Sequence, residues 1–247
     1  MKIAVCVCFV PDTSSVVDVV DGSVDLSGIN LVMNPYDEYA LEAAIQIREQ
    51  VGTAEVTVFS LLAPTDRELL RKTLAIGADE ALQLGESDQY DSMQTASMLS
   101  QAMLERYSNT LPDLVICGKQ SVDFQNGQVP SMLAELLDLP SVSGVVAMKM
   151  QEGGMEVERE IEGGRETIAL RFPALISAEK GLNTPRKTTI KSVIAARKTT
   201  IEEFRCLPQE PAYVKTGACS LVQRRQQCQI VADVGVLATL LVAGNFI

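Results

Sequence analysis

The chain contains no histidine and no tryptophan, only 4% of its residues are aromatic, and 21 basic side chains face 32 acidic ones. Each shortage closes a route. Without imidazole there is no Ser-His-Asp triad, no Cys-His dyad, no three-histidine zinc centre and no side chain that ordinarily titrates near neutral pH, so most hydrolase chemistries are excluded. The six cysteines (Cys6, Cys8, Cys117, Cys206, Cys219 and Cys228) include no C-x-x-C pair. That argues against a zinc or iron–sulfur cluster and for reduced thiols in a cytoplasmic setting. A net charge of −11 repels phosphate backbones and disfavours a nucleic-acid binder. The nearly all-apolar stretch Ile230–Ile247 carries Asp233, Gly235 and Gly244 and falls short of the about 20 apolar residues of a membrane span. The run Ile3–Val10 lacks a small-residue cleavage site and is followed at once by Pro11-Asp12, so it reads as a buried first strand rather than a signal peptide.

What is present is ample core material. With 47% hydrophobic residues in 247 positions, the chain fits one globular unit, or one large and one small. Lys2–Phe9 is a continuous apolar run, the pattern of a parallel strand covered on both faces. Asp21-Gly22 reads as a hairpin turn, and Asn34-Pro35 opens a helix over Tyr36–Val51, with Asn34 placed to cap and Asp37 and Glu38 in the first turn where the helix dipole favours acid. A strand follows at Glu55–Leu61, a helix at Thr65–Ile76 closed by Gly77, a strand at Glu80–Leu84, a helix at Asp91–Tyr107, a strand at Leu114–Gly118 and a helix at Gly127–Leu137. This alternation predicts an α/β fold, an open doubly wound, mostly parallel sheet.

From Ser143 the pattern changes. Val145–Met150, Met155–Ile161 and Glu166–Arg171 are short strands joined by Glu152-Gly153-Gly154 and Glu162-Gly163-Gly164, which read as hairpin turns, and Ala174–Ala178 rejoins the sheet. Glu179–Thr200 then carries Lys180, Arg186, Lys187, Lys191, Arg197 and Lys198 against Glu179 alone, a positive island in an acidic chain. After Pro208, Pro211 and the polar run Gln223–Gln227 predict an extended arm that ends in the apolar stretch, whose burial we expect a partner subunit to supply.

In an open parallel sheet, ligands bind beyond the carboxyl ends of the strands where strand order reverses. Four segments are expected to meet there: Cys6–Asp12, Asn34-Pro35-Tyr36-Asp37, Ser60-Leu61 and the loop Gly118-Lys119-Gln120-Ser121-Val122-Asp123-Phe124-Gln125-Asn126-Gly127-Gln128-Val129. The last runs straight into a helix start and offers backbone N–H groups to an anion, so a phosphate is expected at Asn126–Val129. The bland alternative is a plain connection, with Asn126 capping the helix. Neither a G-x-G-x-x-G nor a Walker sequence occurs, which argues against ATP hydrolysis by a P-loop. Asp12, Asp37 and Asp123 read more readily as capping, turn or ribose-binding residues than as catalytic carboxylates, and Cys6 and Cys8 more readily as small core residues than as a redox pair.

At family-like spacing, the chain presents Val10-Pro11-Asp12-Thr13, Met33-Asn34-Pro35-Tyr36-Asp37-Glu38 and Leu74-Ala75-Ile76-Gly77-Ala78-Asp79, then Asp113-Leu114-Val115-Ile116-Cys117-Gly118-Lys119-Gln120 and Gln128-Val129. Val157–Ile168, Pro173-Ala174-Leu175-Ile176 and Leu182-Asn183-Thr184-Pro185-Arg186 complete the series. In these segments, over nearly its whole length, the sequence resembles the β subunit of electron-transfer flavoprotein. The resemblance implies an adenine-nucleotide α-hydrolase-like fold at 1–206, with a hairpin region and a recognition loop at 178–200, and an arm at 207–247 packing on an α subunit. It implies a heterodimer in which the α subunit holds most of a redox-active FAD. The pair would take electrons from acyl-CoA or other flavin dehydrogenases and pass them to an acceptor such as a quinone reductase, with no catalytic residue in this chain. It further implies a buried AMP, or a second FAD in electron-bifurcating members, touching Cys6, Asn34, Pro35, Tyr36, Asp37, Leu61 and Gly118–Val129, its phosphate at Gly127, Gln128 and Val129. Ile190 falls where the family's apolar docking anchor lies, with Arg186, Lys187, Lys191, Arg197 and Lys198 as its basic rim. The sequence departs from the family pattern at Cys8-Phe9, Phe124-Gln125 and Pro130, inside the implied nucleotide surface, and at Ser177 and Ala195. Two rivals remain: a stand-alone adenine-nucleotide-binding stress or signalling domain, and a nucleotide-activating ligase, for which Pro11–Ser15 is a poor pyrophosphate loop.

Overall fold

In a computed structural model, which describes residues 1–85, 90–221 and 230–246, the N-terminal apolar run forms β1 (Lys2–Cys6), with every residue after Lys2 buried. The run reads as one strand in hydropathy but divides in space. After Cys6 the chain turns, and β2 (Phe9–Pro11) leaves the main sheet. The hairpin β3 (Asp18–Val20) and β4 (Ser23–Asp25) follows, turning at Asp21-Gly22 with both residues at positive φ (52° and 76°), the backbone that a two-residue hairpin needs. β5 (Leu31–Met33) then pairs antiparallel with β2.

α1 (Pro35–Val51) begins with proline at its first turn and ends at Gly52 in the left-handed conformation, whose N–H returns to the Arg48 carbonyl. β6 (Glu55–Leu61) leads to a 3-10 segment, Pro64–Leu70, and then α2 (Arg71–Ile76). The single helix expected at Thr65–Ile76 is thus two, because the Arg71 N–H bonds three residues back, to the Glu68 carbonyl, before the wider α-helical turn sets in. β7 (Glu80–Leu84), α3 (Ser92–Arg106), β8 (Leu114–Gly118) and α4 (Val129–Leu136) continue the alternation. Asp91 closes the start of α3 as a capping box with Gln94.

The strands β9 (Ser141–Gln151), β10 (Gly154–Ile161) and β11 (Gly164–Arg171) form an antiparallel meander, and β12 (Ala174–Ala178) returns to the sheet. β9 starts earlier than its apolar pattern suggests, since Ser141 and Val142 pair with Leu175 and Ile176 before a bulge at Gly144. The Ser177 hydroxyl accepts the Gly144 N–H there at 3.0 Å, which gives this departure from the family pattern a local role. After α5 (Ile190–Ala196) comes β13 (Glu202–Phe204), and the described chain ends in α6 (Val234–Ala243). The polar run Gln223–Gln227 and Cys228 lie outside the described residues.

The main sheet has nine strands in the order β11-β10-β9-β12-β8-β1-β6-β7-β13. From β9 to β13 every neighbouring pair is parallel, and in the whole sheet only β10, antiparallel to both β9 and β11, runs against the rest. Alternate residues of β1 feed opposite cores. Ile3 and Val5 pack with α1 residues Leu41, Ala44 and Ile45, whereas Ala4 and Cys6 pack with Met98, Leu99 and Met103 of α3 and Leu133 of α4. The sheet is therefore doubly wound, as the alternation predicts. Two compact units divide the chain: Met1–Val16 with Leu26–Gly217, and Val17–Asp25 with Ala218–Ile247.

Candidate functional site

Strand order reverses at β1. The chain steps outward to β6 and β7, then crosses back to β8 on the other side. The β1–β8 ladder stops at Val5 opposite Ile116, so beyond those residues the backbone pairing of the two strands ends, at the place where an open parallel sheet binds its ligands. The start of α1 meets it. Asn34, fully buried, does not cap its helix with its side chain; the amide instead crosses to the loop after β8. Its Nδ2 donates to the Gln120 carbonyl at 2.9 Å and its Oδ1 accepts from the Val122 N–H at 3.2 Å, while its own N–H donates to the Cys8 carbonyl at 3.0 Å. The expected cap is thus replaced by a tie between three segments. A loop carbonyl and a loop N–H buried there need partners, and an amide supplies both a donor and an acceptor.

Asp37 is the second tie. Its carboxylate accepts from the Cys8 N–H at 2.8 Å and the Gly118 N–H at 3.1 Å. Burial pushes its pKa up to about 6, against the lowering effect of those bonds and of the Asn34 amide. A Cβ at Gly118 would collide with Asp37 Oδ1 and with Tyr36, so the close approach of β8 to α1 requires glycine. The pKa of the Cys6 thiol is held well above its ordinary value, first by its hydrogen bond with Cys117 and then by burial, and burial does the same to Cys8. These are protonated thiols with no thiolate reactivity. Among the described residues no cluster of three metal ligands occurs.

From Asp123 to Gln128 the loop is exposed, with Gln125 and Gly127 both at positive φ (55° and 62°). α4 starts at Val129, two residues later than expected. Asn126 does not cap it, and Gln128, which precedes the helix, makes no capping bond through its side chain. The backbone N–H groups of Gly127, Gln128 and Val129 have no partner among the described residues. Three such donors at a helix start form a cradle for an anionic oxygen, where expectation placed a phosphate. Leu61 ends β6, the strand beside β1, and Cys6 faces the α3 and α4 core. Phe124 is 64% exposed at the rim.

The basic segment is attached to this same framework. Lys119 pairs with Glu179, and the Lys119 N–H donates to the Ala178 carbonyl at 2.9 Å. The Asn183 amide donates to the Tyr39 carbonyl at 2.8 Å, and Arg186 spans Glu42 and Glu49 of α1 at 2.8 Å and 2.6 Å. Those carboxylates, Glu49 foremost, raise the guanidinium's basicity further. Arg186 thus has an internal role, an ion pair 144 residues apart in sequence that local reading could not find. Beyond it, Thr189 and Ser192 form a capping box, and Arg71 donates to the Ala196 and Thr199 carbonyls at the far end of α5. Between these fixed ends Ile190 is 83% exposed and Ile194, one turn on, 53% exposed, with Lys187, Lys191, Arg197 and Lys198 exposed around them.

The electron transfer flavoprotein domain model matches residues 21–206. The chain is 40% identical over 200 residues to an electron transfer flavoprotein subunit beta of Thermoanaerobacterium thermosaccharolyticum, covering 79% of this chain and 75% of that protein. It is 32% identical to the subunit of the same name from Syntrophomonas wolfei, covering 80% and 77%, and 35% identical to subunit CarD of the caffeyl-CoA reductase-Etf complex of Acetobacterium woodii, covering 79% and 75%.

Proposed function

The chain belongs to the electron transfer flavoprotein β-subunit family, and from that premise we propose that it acts as the nucleotide-binding, dehydrogenase-docking half of a heterodimeric electron carrier. The observation that carries this reading is the convergence of segments at the β1–β8 strand ends, tied together by Asn34 and Asp37, with the N–H groups of Gly127, Gln128 and Val129 unpartnered among the described residues in the same loop. These donors fit one phosphate, and a single adenine nucleotide, AMP, suits them. FAD, held mainly by the α subunit, would supply the redox chemistry when bound.

This chain's own residues bind and orient. Its acidities offer no group poised for proton transfer in the open: Asp37 is buried in structural hydrogen bonds and the Cys6 and Cys8 thiols are held protonated. Ile190 and Ile194 present an aliphatic knob within a basic rim, suited to brief docking on an acidic surface around an apolar pocket, as acyl-CoA or other flavin dehydrogenases would offer. The acceptor side, a quinone reductase, would use the same carrier after the dehydrogenase leaves. Among the described residues no helix is long and apolar enough to cross a membrane.

The test mixes a substrate-reduced flavin dehydrogenase with the FAD-loaded pair and follows flavin absorbance. Bleaching is expected only when this chain is present and slows as salt is added. Bleaching equally fast with the α subunit alone, or a pair that holds no flavin, overturns the reading.

A further inference from the structure

Asp37 links two strand ends past the point where their ladder stops, beside the Cys6–Cys117 thiol contact and the Asn34 tie. The β1–β8 ladder stops at Val5 and Ile116, and past it Cys8 N–H and Gly118 N–H, one from each side, converge on the two oxygens of this carboxylate at 2.8 Å and 3.1 Å. Only 5% of the residue is exposed, so it reaches inward to the backbone rather than outward to a ligand. Gly118, with no room for a Cβ against Asp37 Oδ1, keeps the approach close. We propose that Asp37 is a positioning residue, a clasp that sets the separation of the β1 and β8 ends and with it the shape of the site there, rather than a contact of the nucleotide. The inference rests on the nucleotide reading only for its effect on binding.

The ionisable groups around the clasp are few. From the β1 side come the Cys8 and Cys6 thiols; from β8 and its loop come Cys117, hydrogen-bonded to Cys6, and Asp123, which acts on Cys8. On α1 itself the neighbour is the neutral amide of Asn34. Among the described residues Asp37 forms no ion pair. A carboxylate buried without a counterion holds its proton more tightly clasped than released into water, and its pKa is pushed up to about 6. Acid therefore favours the clasped form. As the pH falls from about 8 to about 5, the ratio of clasped to released forms rises about tenfold, and above the folded value it stays level.

Amide hydrogen exchange and AMP binding in the pair of this chain with its α subunit test the clasp, with the Val5 and Ile116 amides as internal references. In the unaltered pair, protection of the Cys8 and Gly118 amides, corrected for intrinsic exchange, is expected to be about tenfold greater at about pH 5 than at about pH 8. Asp37→Ala, which removes both acceptors, should lower that protection about tenfold, remove its pH dependence and weaken AMP binding by a similar factor. Protection equal at both pH values, or greater at the higher one, overturns the clasp even if the variant fails to fold. Amides that respond in a pair that binds no AMP uphold the clasp and sink the nucleotide reading. AMP bound equally by both forms, with amides unchanged, does the reverse.

Discussion

Two helices of this chain invert the usual relation between composition and burial. α1 mixes charges with apolar residues, yet eight of its residues are buried, including Asp37 and Glu42. α6 is apolar but for Thr239, and none of its residues is buried among the described residues. Val236, Leu237 and Leu240 remain 44%, 43% and 41% exposed. The polar groups of α1 are there to tie loops: Asp37 to Cys8 and Gly118, Glu42 to Arg186, and the Tyr39 carbonyl to Asn183. Among the described residues the apolar face of α6 finds no such use, and an apolar helix left uncovered in water suits docking. We take the α subunit to be what covers it.

The comparison can be broken at either helix. Gly118→Ala places a methyl group against Asp37 and Tyr36, so a loss of about 3 kcal/mol and a melting temperature lower by about 6–12 °C are expected in a thermal melt. An unchanged melt would mean that α1 and β8 are not in close contact. Leu240→Asp should weaken pairing with the α subunit about a hundredfold, read by titration calorimetry, while the melt of the isolated chain stays put. A melt that falls would show that α6 packs on its own chain. Arg186→Gln leaves Glu42 buried without its partner and is expected to cost about 2 kcal/mol, with the basic segment exposed to protease sooner. Ile190→Ala should raise the KM for the partner dehydrogenase about tenfold without changing flavin content, since the side chain touches little of its own chain. Smallest of all, raising ionic strength should slow transfer to acidic partners a few-fold through screening of Lys187, Lys191, Arg197 and Lys198.

The parallel strands were legible in the sequence because burial on both faces writes short, mostly apolar runs: β6, β7, β8 and β12 have the limits their runs imply, even with Thr57, Ser60 and Gln83 buried within β6 and β7. The meeting of the β1 end, the start of α1 and the loop after β8 was legible as a place, since alternation alone predicts where strand ends gather. Its ties were not. Asn34 reads locally as a helix cap, and only the arrival of Gln120 and Val122, 86 and 88 residues away, gives its amide another use. Arg186 reads as part of a basic rim until α1 brings Glu42 and Glu49 beside it. The hairpin at residues 18–25 shares a unit with the C-terminal segment, a pairing across some 200 residues that no local pattern announces.

The central claim is that this chain and an α subunit together hold nucleotides for electron transfer. It is tested most directly by purifying the co-expressed pair, denaturing it with heat and separating the released nucleotides against AMP, ADP, ATP and FAD standards. The account predicts one FAD and one AMP for each heterodimer; two FAD would reassign the site to a second flavin, as in an electron-bifurcating pair. ADP or ATP released from a monomer, with no flavin and no partner captured, would contradict it.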